Sequence, residues 1–171
     1  LSSGSPTNKL SVLKAFAGGT VKSLVETPRS RNQFAVVESP SGTYQLWYWN
    51  ATYLNPTLYW TAASGETIVK IASYRDQENR EAQVMITERS SGRRVYTWGS
   101  NVGYWTGQNT STGTTTSPTE LTSLRDLGMR DVAVGYLSMS AVDGDGAVWV
   151  WGNDTYAQLG LQSTAAQTVP V

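Results

Sequence analysis

One tryptophan-bearing phrase returns three times along the chain. It reads Leu46-Trp47-Tyr48-Trp49-Asn50, then Val95-Tyr96-Thr97-Trp98-Gly99-Ser100-Asn101, then Val148-Trp149-Val150-Trp151-Gly152-Asn153. Trp49, Trp98 and Trp151 thus recur about every fifty residues, a period that belongs to propellers and related arrays. In such arrays each unit is one supersecondary element whose apolar face is covered only by its neighbours. The chain is therefore read as copies of a unit. An array of this kind serves more often as a binding scaffold than as a catalyst.

Each phrase is preceded by an apolar stretch and a turn: Phe34-Ala35-Val36-Val37 before Ser41-Gly42, Val84-Met85-Ile86 before Ser91-Gly92, and Met139-Ser140-Ala141-Val142 before Asp145-Gly146. These read as hairpins. Upstream of each lies a further β-rich run after a glycine, beginning at Gly19, Gly65 and Gly128. Its mixture of alternation and continuous apolar character predicts a strand buried on both faces. A fourth element is marked by Pro6, Pro56, Pro118 and Pro170, which keep the period of the repeat. Proline cannot donate to a ladder and belongs at a strand's first residue or on a sheet edge. Four strands per unit, without helical periodicity, predict an all-β chain of propeller-type blades. The expected repeats are 19–64, 65–127 and 128–171, preceded by an outer strand near 5–13. A β-sandwich of this length is the competing fold, but it needs no internal repeat.

Thirteen basic and thirteen acidic residues balance to zero formal charge, so bulk electrostatics favour neither nucleic acid nor an anionic membrane as a general partner. Cysteine and histidine are absent. That removes thiol and imidazole chemistry and the usual zinc ligand sets, and no enzyme activity or cofactor is expected. No apolar run approaches the length of a spanning helix, so membrane insertion is not expected. The Ser-, Thr- and Gly-rich composition leans towards a bacterial or viral surface protein.

The run Asp145-Gly146-Ala147-Val148-Trp149-Val150-Trp151-Gly152-Asn153, followed by Gln158-Leu159-Gly160 and Pro170, resembles the repeat of the RCC1 (regulator of chromosome condensation) family. The second copy matches it from Val95 to Asn101 and at Pro118. The first departs from it, with Asn50 in place of glycine. The resemblance implies four-stranded blades, and seven of them usually close the family's ring. Three do not, so this chain is expected to be a segment of a larger propeller or to be completed by another chain or by self-association. The family's Gly-x-x-His-Ser appears here as Gly135-Tyr136-Leu137-Ser138, without the histidine. That departure weakens any transfer of the family's nucleotide-exchange activity on a small nuclear GTPase.

In an up-and-down blade, the loop between strands one and two leaves on the same side as the loop between strands three and four. Loops of the first kind carry Arg29, Arg31, Arg75 and Arg80, and loops of the second kind carry Tyr53, Tyr104, Trp105 and Tyr156. Arginine beside exposed aromatic residues is the composition of protein-binding hot spots, so these eight are the candidate partner-binding residues. The competing reading makes them solvated loops whose aromatic rings pack locally.

Other motifs have plainer readings. Asp143-Gly144-Asp145-Gly146 opens like a calcium loop but lacks the closing glutamate and sits where the other copies place a hairpin turn. Arg89, Arg93 and Arg94 flank the middle hairpin turn on the opposite side, and such a cluster is usually solvated. The threonine-rich run from Thr110 to Thr116 reads as a flexible loop. The recurring tryptophans read as packing between blades. The expected function is a non-enzymatic interaction scaffold binding a protein through its loop-rich face. The alternatives are a structural subunit of an appendage, filament or viral particle, and a nucleotide-exchange regulator of a small GTPase.

Overall fold

A computed structural model describes residues 16–25, 27, 31–50, 52, 55–111 and 113–171. Its strands form three antiparallel sheets, each following chain order. The first contains β1 (Thr20–Val25), β2 (Gln33–Glu38), β3 (Tyr44–Trp49) and β4 (Thr57–Thr61). The second contains β5 (Thr67–Arg75), β6 (Glu81–Arg89), β7 (Gly92–Ser100) and β8 (Thr114–Glu120). The third contains β9 (Asp131–Gly135), β10 (Ser138–Val142) and β11 (Val148–Gly152). Beyond β11, Val150 and Val171 exchange two backbone hydrogen bonds of 3.0 and 3.1 Å, and Gln167 bridges Gly152. The C-terminal residues thereby occupy the fourth position of the third sheet. These are propeller-type blades. The outer strand expected near 5–13, with Pro6, lies outside the described residues.

The tryptophan phrases form β3, β7 and β11, the third strand of each sheet. Proline takes the edge, as its missing N–H requires: Pro118 lies in edge strand β8, Pro56 directly before edge strand β4, and Pro170 in the segment beside β11. The threonine-rich run is not simply a loop. Thr114 begins β8 and pairs with Ser100, because β-branched threonines suit an extended edge.

Burial on both faces belongs to the second strand, not to the first. Along β6, Ala82, Val84 and Ile86 join one core cluster while Met85, between them, joins another. The strand thus faces a blade on each side. β1 is exposed along most of its length, with Leu24 71% accessible, because it is a sheet edge paired only with β2. The cluster between the first and second sheets joins Phe34, Val36 and Leu46 to Met85, Tyr96 and Trp98. That between the second and third joins Val84, Ile86 and Trp105 to Met139, Leu137 and Trp151. The second and third sheets therefore each bury their tryptophan strand against the sheet before it. In the first sheet, Phe16 packs edge-on to Trp47, with ring centroids 5.8 Å apart.

The glycine after the tryptophan has a steric reason. Gly99 has φ +103°, and a Cβ built there lies 2.3 Å from the Glu81 carbonyl oxygen. Gly152 repeats this with φ +107° and 2.4 Å to the Leu137 carbonyl oxygen. In both, strand three approaches the backbone at the start of strand two more closely than any side chain permits. Asn50 departs from this pattern, and its Nδ2 donates to Asn32 Oδ1 at 2.7 Å.

The connection between the first two blades is held by a buried carboxylate. Glu66 accepts hydrogen bonds from Thr87 Oγ1 at 2.5 Å, Arg89 Nη2 at 2.9 Å, the Ala63 amide at 3.0 Å and Tyr96 Oη at 3.2 Å. Burial by itself raises the Glu66 pKa. The Arg89 guanidinium, the Thr87 hydroxyl and the Ala63 amide outweigh it and hold the carboxyl below its ordinary range.

Two outcomes follow from these contacts. Gly99→Ala is expected to cost roughly 2–4 kcal/mol of unfolding free energy in urea titrations, combining backbone strain with a backbone clash. Gly146→Ala, at φ +91° with no atom within 4 Å of the added Cβ, should cost only about 1 kcal/mol. A depressed folded pKa at Glu66 contributes stability that is complete above the unfolded glutamate value of about 4.3 and is lost as pH falls through the folded value. Urea midpoints from pH 7 to pH 3 should therefore fall at the acid end, and Glu66→Gln should flatten that dependence.

Candidate functional site

Successive strands of an antiparallel meander alternate in direction, so the β1–β2 and β3–β4 connections emerge at one end of the blade, and likewise in the other two sheets. Three depressions line this end. The first, about 270 Å3, lies between the first two blades and is walled by Arg31, Asn50, Thr52, Arg75 and Asn79. It shares Asn32, Asn79 and Glu81 with a neighbouring groove of about 450 Å3 whose apolar lining is Phe34, Tyr48, Tyr59 and Trp98. The third, about 500 Å3, lies between the second and third blades and is lined by Tyr74, Gln77, Glu78, Tyr136 and Tyr156.

The β5–β6 loop is built by Asp76. Its Oδ1 accepts the amides of Glu78 and Arg80, both at 2.9 Å, and its Oδ2 takes Arg80 Nε at 2.6 Å. Arg80 also reaches Glu78 at 3.0 Å. Its guanidinium therefore holds the loop together. Arg75 points elsewhere and donates through Nη2 to Asn79 Oδ1 at 2.8 Å. Beneath them Glu81 accepts Asn32 Nδ2 at 3.0 Å and Gln83 Nε2 at 2.6 Å. In the aromatic groove, Tyr48 and Tyr59 meet edge to face at 5.2 Å, and the Tyr59 hydroxyl donates to the Thr116 carbonyl at 2.6 Å. Burial pushes the Tyr59 phenol up to about 12, so it stays a neutral donor.

The structure divides the eight sequence-predicted residues. Arg31 and Arg75 meet at the first depression, and Tyr156, 77% accessible, overhangs the third. Arg29 and Tyr53 lie outside the described residues. Arg80 is engaged as described, and Tyr104 is half-buried with φ +63°. Trp105 is corrected: it is wholly buried in the core between the second and third blades, in T-shaped contact with Tyr74. The loop folds back because Asn101 Oδ1 accepts both the amide and the hydroxyl of Thr106, at 2.9 and 2.6 Å. That pins the indole under the loop. The arginines of the opposite end are not merely solvated. Arg93 pairs with Glu88 at 3.3 Å, Arg94 with Asp126 at 3.2 Å, and Arg89 with Glu66.

Sequence reasoning missed Tyr136 and Asn50, and it placed Asn32 and Asn79 in the loops of this end without singling them out. Tyr136 stands in the β9–β10 connection, so the loop rule applied to the first two repeats would have found it in the third. Nothing local marks the amides. The Asp143 carboxylate is spent on its own turn, accepting the amides of Asp145 and Ala147 at 3.0 and 2.9 Å and Trp149 Nε1 at 2.9 Å. The Trp149 hydrogen bond, with the turn amides, lowers its pKa against the opposing effect of burial.

Comparison with known proteins agrees with this architecture. The family model of the regulator of chromosome condensation (RCC1) repeat matches residues 145–171. No curated protein sequence matches the chain. Among solved structures, yeast RCC1 (Prp20) bound to Kap60 superposes with a TM-score of 0.67 at 17% identity, covering 88% of this chain and 36% of that one. Human WBSCR16 gives 0.63 at 19% identity, covering 82% and 36%. A structure of Prp20p from Saccharomyces cerevisiae, described with its binding to Gsp1p and histones, gives 0.64 at 16% identity, covering 88% and 37%. The chain thus spans a little over a third of the length of these proteins. Its three sheets share the fold of RCC1 propeller blades, and residues 145–171 match the model of the RCC1 repeat.

Proposed function

We propose that this chain is a protein-interaction scaffold that receives its partner on the loop-bearing end of the blades. The observation that carries the reading is the convergence there of Arg75, from the end of β5, with Arg31, Tyr136 and Tyr156, from three different connections, around depressions that straddle the blade boundaries. Short connections anchored on three packed sheets limit the entropy lost on binding. Arginine and tyrosine supply the mixed polar and apolar contacts of interface hot spots. The likeness to RCC1-type propellers supports an interaction role in general.

A second reading concerns the blade faces. Leu24 and Val148 are exposed apolar residues on strands, and further propeller blades or another chain would cover them. This completion is compatible with the first reading, because the loop-bearing end stays open when the ring is extended sideways.

The test compares two variants as baits for partners from the native source. Arg31→Ala with Tyr136→Ala and Tyr156→Ala is expected to lose at least about tenfold in retained partner. Arg130→Ala, at the opposite end, should retain it, and far-ultraviolet spectra should match throughout. Undiminished capture by the triple variant would contradict the proposal.

A further inference from the structure

The charges of this molecule are unevenly satisfied. The structure describes ten basic side chains, and seven of them stand in ion pairs: Lys22 with Glu38, Lys70 with Asp131, and Arg80, Arg89, Arg93, Arg94 and Arg125 with neighbouring carboxylates. Among the described residues, Arg31, Arg75 and Arg130 are in none. Arg130 stands alone at the far end, just before β9. The other two share the wall of the 270 Å3 depression, where the remaining lining is mostly neutral amide and hydroxyl. Arg75 uses one Nη2 hydrogen bond, to the neutral Asn79. A guanidinium has five N–H donors in a planar fork suited to carboxylate, so two unpaired forks at one concavity form an anion-receiving site.

We infer that this depression binds an acidic side chain of an extended partner segment, and that the adjoining groove, where the half-buried Tyr48 and Tyr59 reach the surface, takes a neighbouring apolar or aromatic side chain. The inference rests on the loop-face reading above and gives that partner a chemistry. Three observations select a carboxylate segment over a phosphate or a nucleic acid. Among the described lining residues the one carboxylate, Glu81, is already met by Asn32 and Gln83, and Arg31 and Arg75 leave an excess of a single positive charge there. That excess suits a monoanion better than a dianion. The same end also carries Asp76 and Glu78, bound to Arg80, and its described residues offer no continuous basic stripe for a phosphate backbone. Finally, the two depressions share Asn32, Asn79 and Glu81, so the carboxylate site and the aromatic site are contiguous. One short stretch of peptide reaches both.

The test uses a random-peptide display library selected on the whole chain, with selected peptides then measured by fluorescence anisotropy. Enrichment of Asp or Glu beside Phe, Tyr, Trp or Leu is expected. Arg31→Gln with Arg75→Gln should weaken these peptides by about tenfold or more, as loss of charge-assisted hydrogen bonds implies, and Arg130→Gln by less than about twofold. Replacing the acid by its amide in the peptide should cost a comparable factor, and raised salt should narrow the difference. Selected peptides without acidic enrichment, or equal losses in the two arginine variants, would overturn the inference. Displacement by millimolar inorganic phosphate would overturn it as well, reassigning the depression to a phosphate. Failure of the underlying reading looks different: the native partner is then still captured by the loop-face variant. If that variant loses the partner while acid and amide peptides bind alike, only the present inference is lost.

Discussion

Trp98 and Trp151, on the third strands of the second and third sheets, are buried by contacts with a neighbouring sheet, and the rest of the architecture depends on that contact. Trp98 lies in the cluster that joins the second sheet to the first, and Trp151 in the one that joins the third to the second. A sheet of four short strands has two apolar faces and no private core. Packing tryptophan strands against the preceding blade makes each unit's stability conditional on its neighbour. Gly99 and Gly152 serve the same contact, since they let the strand bearing the indole settle onto the backbone of strand two. Glu66 then ties the connection between blades to β6 and β7.

This dependence separates structure from function in space. Trp98 and Trp151 of the strands, and Trp105 from a loop, are consumed by the inter-blade cores. What remains at the loop-bearing end is the set of side chains the cores do not use. Tyr136 and Tyr156 stand over one blade boundary, and Arg31 and Arg75 over the other. Because both boundaries are fixed by the cores beneath them, the depressions are properties of blade spacing. A partner bound as proposed would meet groups from several blades at once.

The repeat was legible because its signals are local. The tryptophan phrase marks β3, β7 and β11, the Ser-Gly and Asp-Gly pairs mark hairpins, and proline marks the outer edge, each for a steric or hydrogen-bonding reason that acts within a few residues. The site was half legible, since connection topology alone places Arg31, Arg75 and Tyr156 at one end. Trp105 was misread because its burial depends on Asn101 folding the loop back onto another sheet. The pairing of arginines was hidden for the same reason. Arg89 meets Glu66 and Arg94 meets Asp126 across sequence separations that no local pattern reports, so which guanidinium groups stay unpaired emerges only from the fold.

The central claim is that blades cohere through cores they share, and hydrogen exchange across the whole chain tests it most directly. If the claim holds, amides of β6 and β7, in the blade flanked on both sides, should exchange most slowly and those of β1 far faster, in one graded profile. Equal protection in all three sheets, or exchange in β6 as fast as in β1, would contradict it.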